Sequence, residues 1–105
     1  MDIKLEVLSA TCSNAISSEA YLVRKNEEFI IEGFITAPNP CYRLEQSSEI
    51  RENTLIINLR LIRRPDLCIQ CLAKISFRIS IRDLSEEVKN IIILYQNKKI
   101  LRYSL

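Results

Sequence analysis

Cys12, Cys41, Cys68 and Cys71 are the residues of this chain whose type and spacing offer chemistry. Four cysteines in a 105-residue chain fit structural disulfides, which could connect them in three ways. The same four thiolates could hold zinc, because Cys68-x-x-Cys71 has knuckle spacing. The intervening Ile69-Gln70 lacks the Gly or basic residue that usually helps such thiolates, and Cys12 and Cys41 form no second CxxC. A CxxC pair could also run thiol–disulfide exchange. That needs a helix N-terminus to lower the thiol pKa, and here a strand pattern follows. Buried free thiols are the remaining alternative. Residues three apart on a strand lie about 10 Å apart and face opposite ways. If the strand begins at Cys68, then Cys68 and Cys71 take separate partners, one Cys41 and the other Cys12.

Other reactive constellations are missing. The chain has no His, which removes the Ser-His-Asp triad, the Cys-His pair and every His-ligated metal site. Its one glycine, Gly33, cannot build a phosphate-cradling loop. Glu27-Glu28 and Glu86-Glu87 are adjacent carboxylates that read as solvated turns, because neighbours on a strand face opposite ways. No catalytic residue, cofactor or metal is expected. The balance of 15 basic and 13 acidic residues, net +2, indicates neither nucleic acid nor an anionic membrane. One basic stripe stands out. Lys74, Arg78 and Arg82 share a strand face, Arg60 is expected on a neighbouring strand, and Arg63 and Arg64 follow at a corner. Such a face could track phosphates. No aromatic alternates with these cations, and Ser76 and Ser80 share their face, so an ion-pair lattice is the preferred reading.

The elements that must position these residues show a period of two. From Leu72 to Arg82, Ile75, Phe77, Ile79 and Ile81 alternate with Lys74, Ser76, Arg78 and Ser80. Thr54 to Ile62 puts Leu55, Ile57, Leu59 and Leu61 on one side and a mixed Ile56, Asn58, Arg60 and Ile62 on the other, and from Glu28 to Ala37 the residues Phe29, Ile31, Gly33 and Ile35 share a face. Further strands are predicted over Ile3 to Leu8, Tyr21 to Arg24, Cys41 to Glu45, Val88 to Tyr95 and Lys99 to Tyr103. Gln96-Asn97-Lys98 and Lys25-Asn26-Glu27 read as hairpin turns. Ala37-Pro38-Asn39-Pro40 and Arg63-Arg64-Pro65-Asp66 read as corners, because proline cannot continue a ladder. Ser85 to Val88 and Cys12 to Ala20 carry weak helix signals. Seven or eight short strands predict an all-β domain over residues 1–105, with two stacked sheets burying the isoleucine faces.

The run Gly33-Phe34-Ile35-Thr36-Ala37-Pro38-Asn39-Pro40-Cys41-Tyr42, followed by Cys68-Ile69-Gln70-Cys71, resembles a pattern in small prokaryotic all-β proteins, many of them archaeal. The resemblance covers roughly Phe29 onward. It implies an immunoglobulin-like antiparallel β-sandwich of about seven strands, with Cys41 bridged to Cys68 and, by what remains, Cys12 to Cys71. It implies no activity. Asn39-Pro40 and Arg64-Pro65 also resemble, more distantly, two loops of chagasin-type inhibitors of cysteine proteases. The Gly-rich loop of that family has no counterpart here, and Asp66 stands where its aromatic would be.

Seventeen isoleucines against three valines, with abundant Lys, Arg and Glu, suggest a hyperthermophile. The N-terminal stretch carries Asp2, Lys4 and Glu6 without an apolar core, and the run Ile91 to Tyr95 is too short to span a bilayer. A cytoplasmic location is expected. The function expected is that of a non-enzymatic protein-binding module, with Asn39, Pro40, Tyr42 and Arg64 as binding-loop candidates and an unknown protein as partner. The alternatives are a chagasin-type inhibitor and a weak nucleic-acid binder using Arg60, Lys74, Arg78 and Arg82. Neither nucleic acid nor membrane is the expected partner.

Overall fold

β6 (Ala73–Arg82) shows how the alternation becomes a fold. Ala73, Ile75, Phe77, Ile79 and Ile81 are each at most 1% exposed, while Lys74, Ser76, Arg78 and Ser80 on the other face are half-buried. Burying each large side chain stabilises by about 2 kcal/mol. A slip of one residue would move all five to solvent, so the register is strongly specified. This computed structural model describes residues 1–14, 17–64 and 67–105, and the described residues form eight β-strands and no helix.

The others are β1 (Asp2–Cys12), β2 (Glu19–Lys25), β3 (Glu28–Ala37), β4 (Tyr42–Arg51), β5 (Thr54–Arg63), β7 (Asn90–Tyr95) and β8 (Lys98–Ser104). They make two four-stranded sheets, ordered β1-β6-β3-β2 and β4-β5-β7-β8. The core between them joins Ile31, Ile35, Ile75, Phe77 and Ile79 to Leu55, Ile57, Ile91 and Ile93. The expected all-β sandwich is therefore present.

Several details differ from the expectation. β5 and β7 pair parallel, because the chain returns between them through β6 in the other sheet. The order β1-β6-β3-β2 is also not that of an immunoglobulin sheet, where the first, second, fifth and fourth strands lie together. β4 extends to Arg51 rather than ending at Glu45, and β1 extends to Cys12. Glu52 and Asn53, both at positive φ, close a β4–β5 hairpin of type I′ character, as Gln96 and Asn97 do between β7 and β8. β6 starts at Ala73, so Cys68 and Cys71 lie in the preceding connection and not on a strand. Ser85 to Val88 makes one turn, with Val88 N–H donating to Ser85 O at 3.1 Å, and no helix. Of the helix expected within Cys12 to Ala20, the ends belong to β1 and β2, and residues 15 and 16 lie outside the described residues. Pro65 and Asp66 of the second corner also lie outside them.

Gly33 is required by close approach. Its odd-numbered position faces inward opposite Ala20, and a Cβ there would collide with the Glu19 carbonyl oxygen and lie 2.9 Å from the Ala20 Cβ. Gly33→Ala is expected to cost about 2 kcal/mol through overpacking. An unchanged urea midpoint would show that β2 shifts freely.

Candidate functional site

Strand directions sort the connections into two ends. The corner at 38–41, the β5–β6 connection at 64–72, the β1–β2 connection and the Gln96-Asn97 turn share one end. The Asn26-Glu27 and Glu52-Asn53 turns and the 83–89 connection occupy the other. At the first end Cys12 is bridged to Cys71 and Cys41 to Cys68, with Cα separations of 5.7 and 6.0 Å. The β5–β6 connection is thus tied on one side to the end of β1 and on the other to the proline corner. Both bridges bind connections rather than spanning the sandwich interior.

Hydrogen bonds reinforce this end. Cys41 N–H donates to Asn39 Oδ1 at 3.0 Å, the turn that an Asn between two prolines favours. The same Oδ1 lies 3.4 Å from Cys68 Sγ, a contact only, since a bridged sulfur has no hydrogen to donate. Ser13 N–H donates to Leu72 O at 2.9 Å. Thr36 Oγ1 donates to Ser17 O at 2.8 Å and accepts from Ser17 N–H at 3.2 Å, holding the β1–β2 connection over the sheet end. Tyr95 O–H donates to Thr36 O at 2.8 Å and so joins the two sheets. Burial, and secondarily the neighbouring Tyr42, raise the Tyr95 pKa above the usual tyrosine value.

The four binding-loop candidates do share this end, but they are not equally presented. Asn39 and Pro40 are half-buried in the corner, and Tyr42 packs inward against the core. Tyr42 is therefore not an outward anchor. Arg64 is exposed. The prominent side chains are two that sequence reasoning passed over: Leu67, fully exposed at 103%, and Ile69, 73% exposed. Leu72, exposed at 43%, follows them. Large aliphatics in a cysteine-bounded segment with neither helical nor strand period were the available signal.

The basic stripe divides. Lys74, Arg78 and Arg82 lie on the outer face of the first sheet, whereas Arg60 lies on β5 in the other sheet and pairs with Glu45 at 3.5 Å. Arg78 sits between Glu6 at 3.7 Å and Glu32 at 3.5 Å, and Arg82 meets Glu28 at 3.3 Å. Lys74 Nζ stands 4.2 Å from the centre of the Phe34 ring. The register places these carboxylates opposite the cations, which leaves no continuous basic track there. A shallow depression of about 470 Å³ on this face is lined by Lys4, Glu6, Val23, Ile30, Glu32 and Arg78. Among the described residues no three His, Cys, Asp or Glu side chains are placed to hold a metal, and no helix is long and apolar enough to cross a membrane.

No family model matches this chain, and no curated protein or solved structure is significantly similar to it.

Two outcomes are expected. In the chain-entropy model, bridges closing separations of 27 and 59 residues stabilise by about 3.5 and about 4 kcal/mol. Replacing Cys41 and Cys68 together by Ser should therefore lower the unfolding free energy by about that first amount, and a loss under about 1 kcal/mol would contradict the tether. Tyr95 is the subject of the second. A phenol whose folded pKa is raised keeps its stabilising difference below the unfolded pKa of about 10 and loses it as pH rises through the folded value. Stability should fall above pH ~10, and Tyr95→Phe should flatten that fall while costing about 1 kcal/mol at neutral pH. An equally steep alkaline fall in the variant would exclude Tyr95 as its source.

Proposed function

We propose that this protein is a non-enzymatic binding module that presents the bridged segment 67–72 to a protein partner. One observation carries the reading: Leu67 and Ile69 are the most exposed large aliphatics described, and they sit on a segment bridged at Cys68 and Cys71. Exposed aliphatics on a tethered loop favour association twice, by burying apolar surface and by having little loop entropy left to lose. Arg63, Arg64, Lys74 and Lys98 belong to the same end, which suits an apolar pocket with an acidic rim. A peptidase cleft is one such pocket. The exposed aliphatics and double bridging of the segment favour inhibition of a peptidase as the second reading. The two bridges suit an oxidising compartment or the cytosol of a hyperthermophile, and the composition supports the latter.

The test is affinity capture from the native cell with quantitative mass spectrometry, alongside inhibition assays on a panel of peptidases. The double variant Leu67→Ser, Ile69→Ser should keep its unfolding free energy within about 0.5 kcal/mol, because both residues are solvated. It should lose the captured protein, while Arg78→Ser, which alters the outer face of the first sheet, keeps it. Equal capture by the double variant would refute the reading.

A further inference from the structure

A β-sandwich leaves unpaired edge strands, and natural sheets usually guard them. Here the edges are β1, β2, β4 and β8. β1 is broken by a bulge between Val7 and Ser9 and carries Asp2, Lys4 and Glu6. β8 faces an irregularity at Ile93/Leu94 and opens with Lys98-Lys99. β2 has seven residues and turns Arg24 toward the inner face, where its guanidinium lies 5.4 Å from the Phe29 ring centre. β4 carries outer-face charges as β1 does, at Arg43, Glu45, Glu49 and Arg51, but it has neither a bulge nor an inward-turned charge. It pairs with β5 over ten residues without a shift, and its inward-facing residues are Tyr42, Leu44, Gln46, Ser48 and Ile50, all uncharged.

That inward row is also incompletely covered. Ile50 is 51% exposed, and Val7, on the edge strand across the sandwich, is 45% exposed. Gln46 Oε1 is buried without a hydrogen-bond partner among the described residues.

We propose that β4 is a homodimer edge, pairing antiparallel with β4 of a second copy about a two-fold axis at Gln46. Arg51 and Thr54 flank the two-residue Glu52-Asn53 turn, so they exchange hydrogen bonds, and so do alternate pairs from there. The backbone groups of residues 42, 44, 46, 48 and 50 therefore point to the open edge. A two-fold at Gln46 matches these groups as hydrogen-bonded pairs: Tyr42 with Ile50 of the partner subunit, Leu44 with Ser48 of the partner subunit, and Gln46 with Gln46 of the partner subunit. Each buried Oε1 gains a neighbouring amide donor, and Ile50 gains an aromatic ring.

Charge and ladder length select this register. On the outer face it sets Arg43 opposite Glu49 of the partner subunit, twice by symmetry. Centring on Ser47 would oppose Arg43 to Arg51 and Glu45 to Glu49, like against like. Centring on Ser48 would also bring opposite charges together, Glu45 against Arg51, but it opposes Arg43 to Asn53 in the turn and shortens the ladder, so length decides between those two registers. The present pairs, Arg43 with Glu45 at 2.7 Å and Arg51 with Glu49 at 3.2 Å, are exposed and weak enough to share their charges across the edge.

Sedimentation velocity of the full chain over a range of concentrations tests this. The wild type should form a reversible dimer. Arg43→Glu alone and Glu49→Arg alone should each weaken it by about tenfold, since each brings like charges together twice. An equimolar mixture of the two variants should dimerise as the wild type does, because that heterodimer has opposite charges at both positions. Ser48→Pro, which removes an edge N–H, should abolish dimerisation while leaving the β-sheet circular dichroism intact. Oxidation of Gln46→Cys should yield a covalent dimer efficiently, and Ser47→Cys and Ser48→Cys should not. A wild type that stays monomeric at millimolar concentration, a mixture that fails to recover, or crosslinking centred on 47 or 48 would overturn the proposal.

Discussion

One segment, the β5–β6 connection, is held at two points, by Cys12 through Cys71 and by Cys41 through Cys68. The end of the molecule is organised around that double tether. The connection leaves one sheet and enters the other, so its conformation sets where β6 begins. β6 in turn lies between β1 and β3 and carries the most buried row of the core. The described residues of this crossing, 64 and 67–72, belong to no strand. The bridges supply the restraint that a ladder would otherwise give. They also allow Leu67 and Ile69 to stay in water without the segment collapsing to bury them.

The rest of the surface is quieter for physical reasons. On the outer face of the first sheet, Arg78 is matched by Glu6 and Glu32, and Arg82 by Glu28. These exposed pairs add little stability each at ordinary temperature, but as a lattice they cancel the field that a row of cations would project. What distinguishes the molecule is therefore placed at its margins. The bridged end shows aliphatic side chains on the same end as Arg63, Arg64, Lys74 and Lys98, and β4 offers an edge with no register shift and an uncharged inner row. The proposed dimer edge begins at Tyr42, beside the Cys41–Cys68 bridge, and the dimer proposed through β4 would carry two bridged segments, one per copy.

The core strands were legible because two-residue alternation survives wherever one face is buried and the other wet. Ile75 to Ile81 and Leu55 to Leu61 announce themselves in that way. The second half of β4 was not legible. Ser47, Ser48 and Glu49 give both faces a polar look, which is what a half-covered edge strand allows. The Glu52-Asn53 hairpin was hidden with it, because glutamate is an unusual residue at positive φ. The parallel β5–β7 pair follows from where β6 goes, and no local pattern in β5 or β7 encodes it. At the site, the Cys41–Cys68 bridge was expected from the resemblance at the proline corner and Cys12–Cys71 from the cysteines that remained, and the structure carries both. The exposure of Leu67 and the inward packing of Tyr42 depend on how the end closes, which spacing does not reveal.

The double tether is tested most directly by stepwise reduction of protein purified without reductant, with each newly freed thiol alkylated by a different mass label and located by tandem mass spectrometry. Cys12 and Cys71 should be released together in one step and Cys41 and Cys68 together in another, with four labelled sites and none free at the start. Release of Cys68 with Cys71, or alkylation of all four thiols before any reductant is added, would contradict the account.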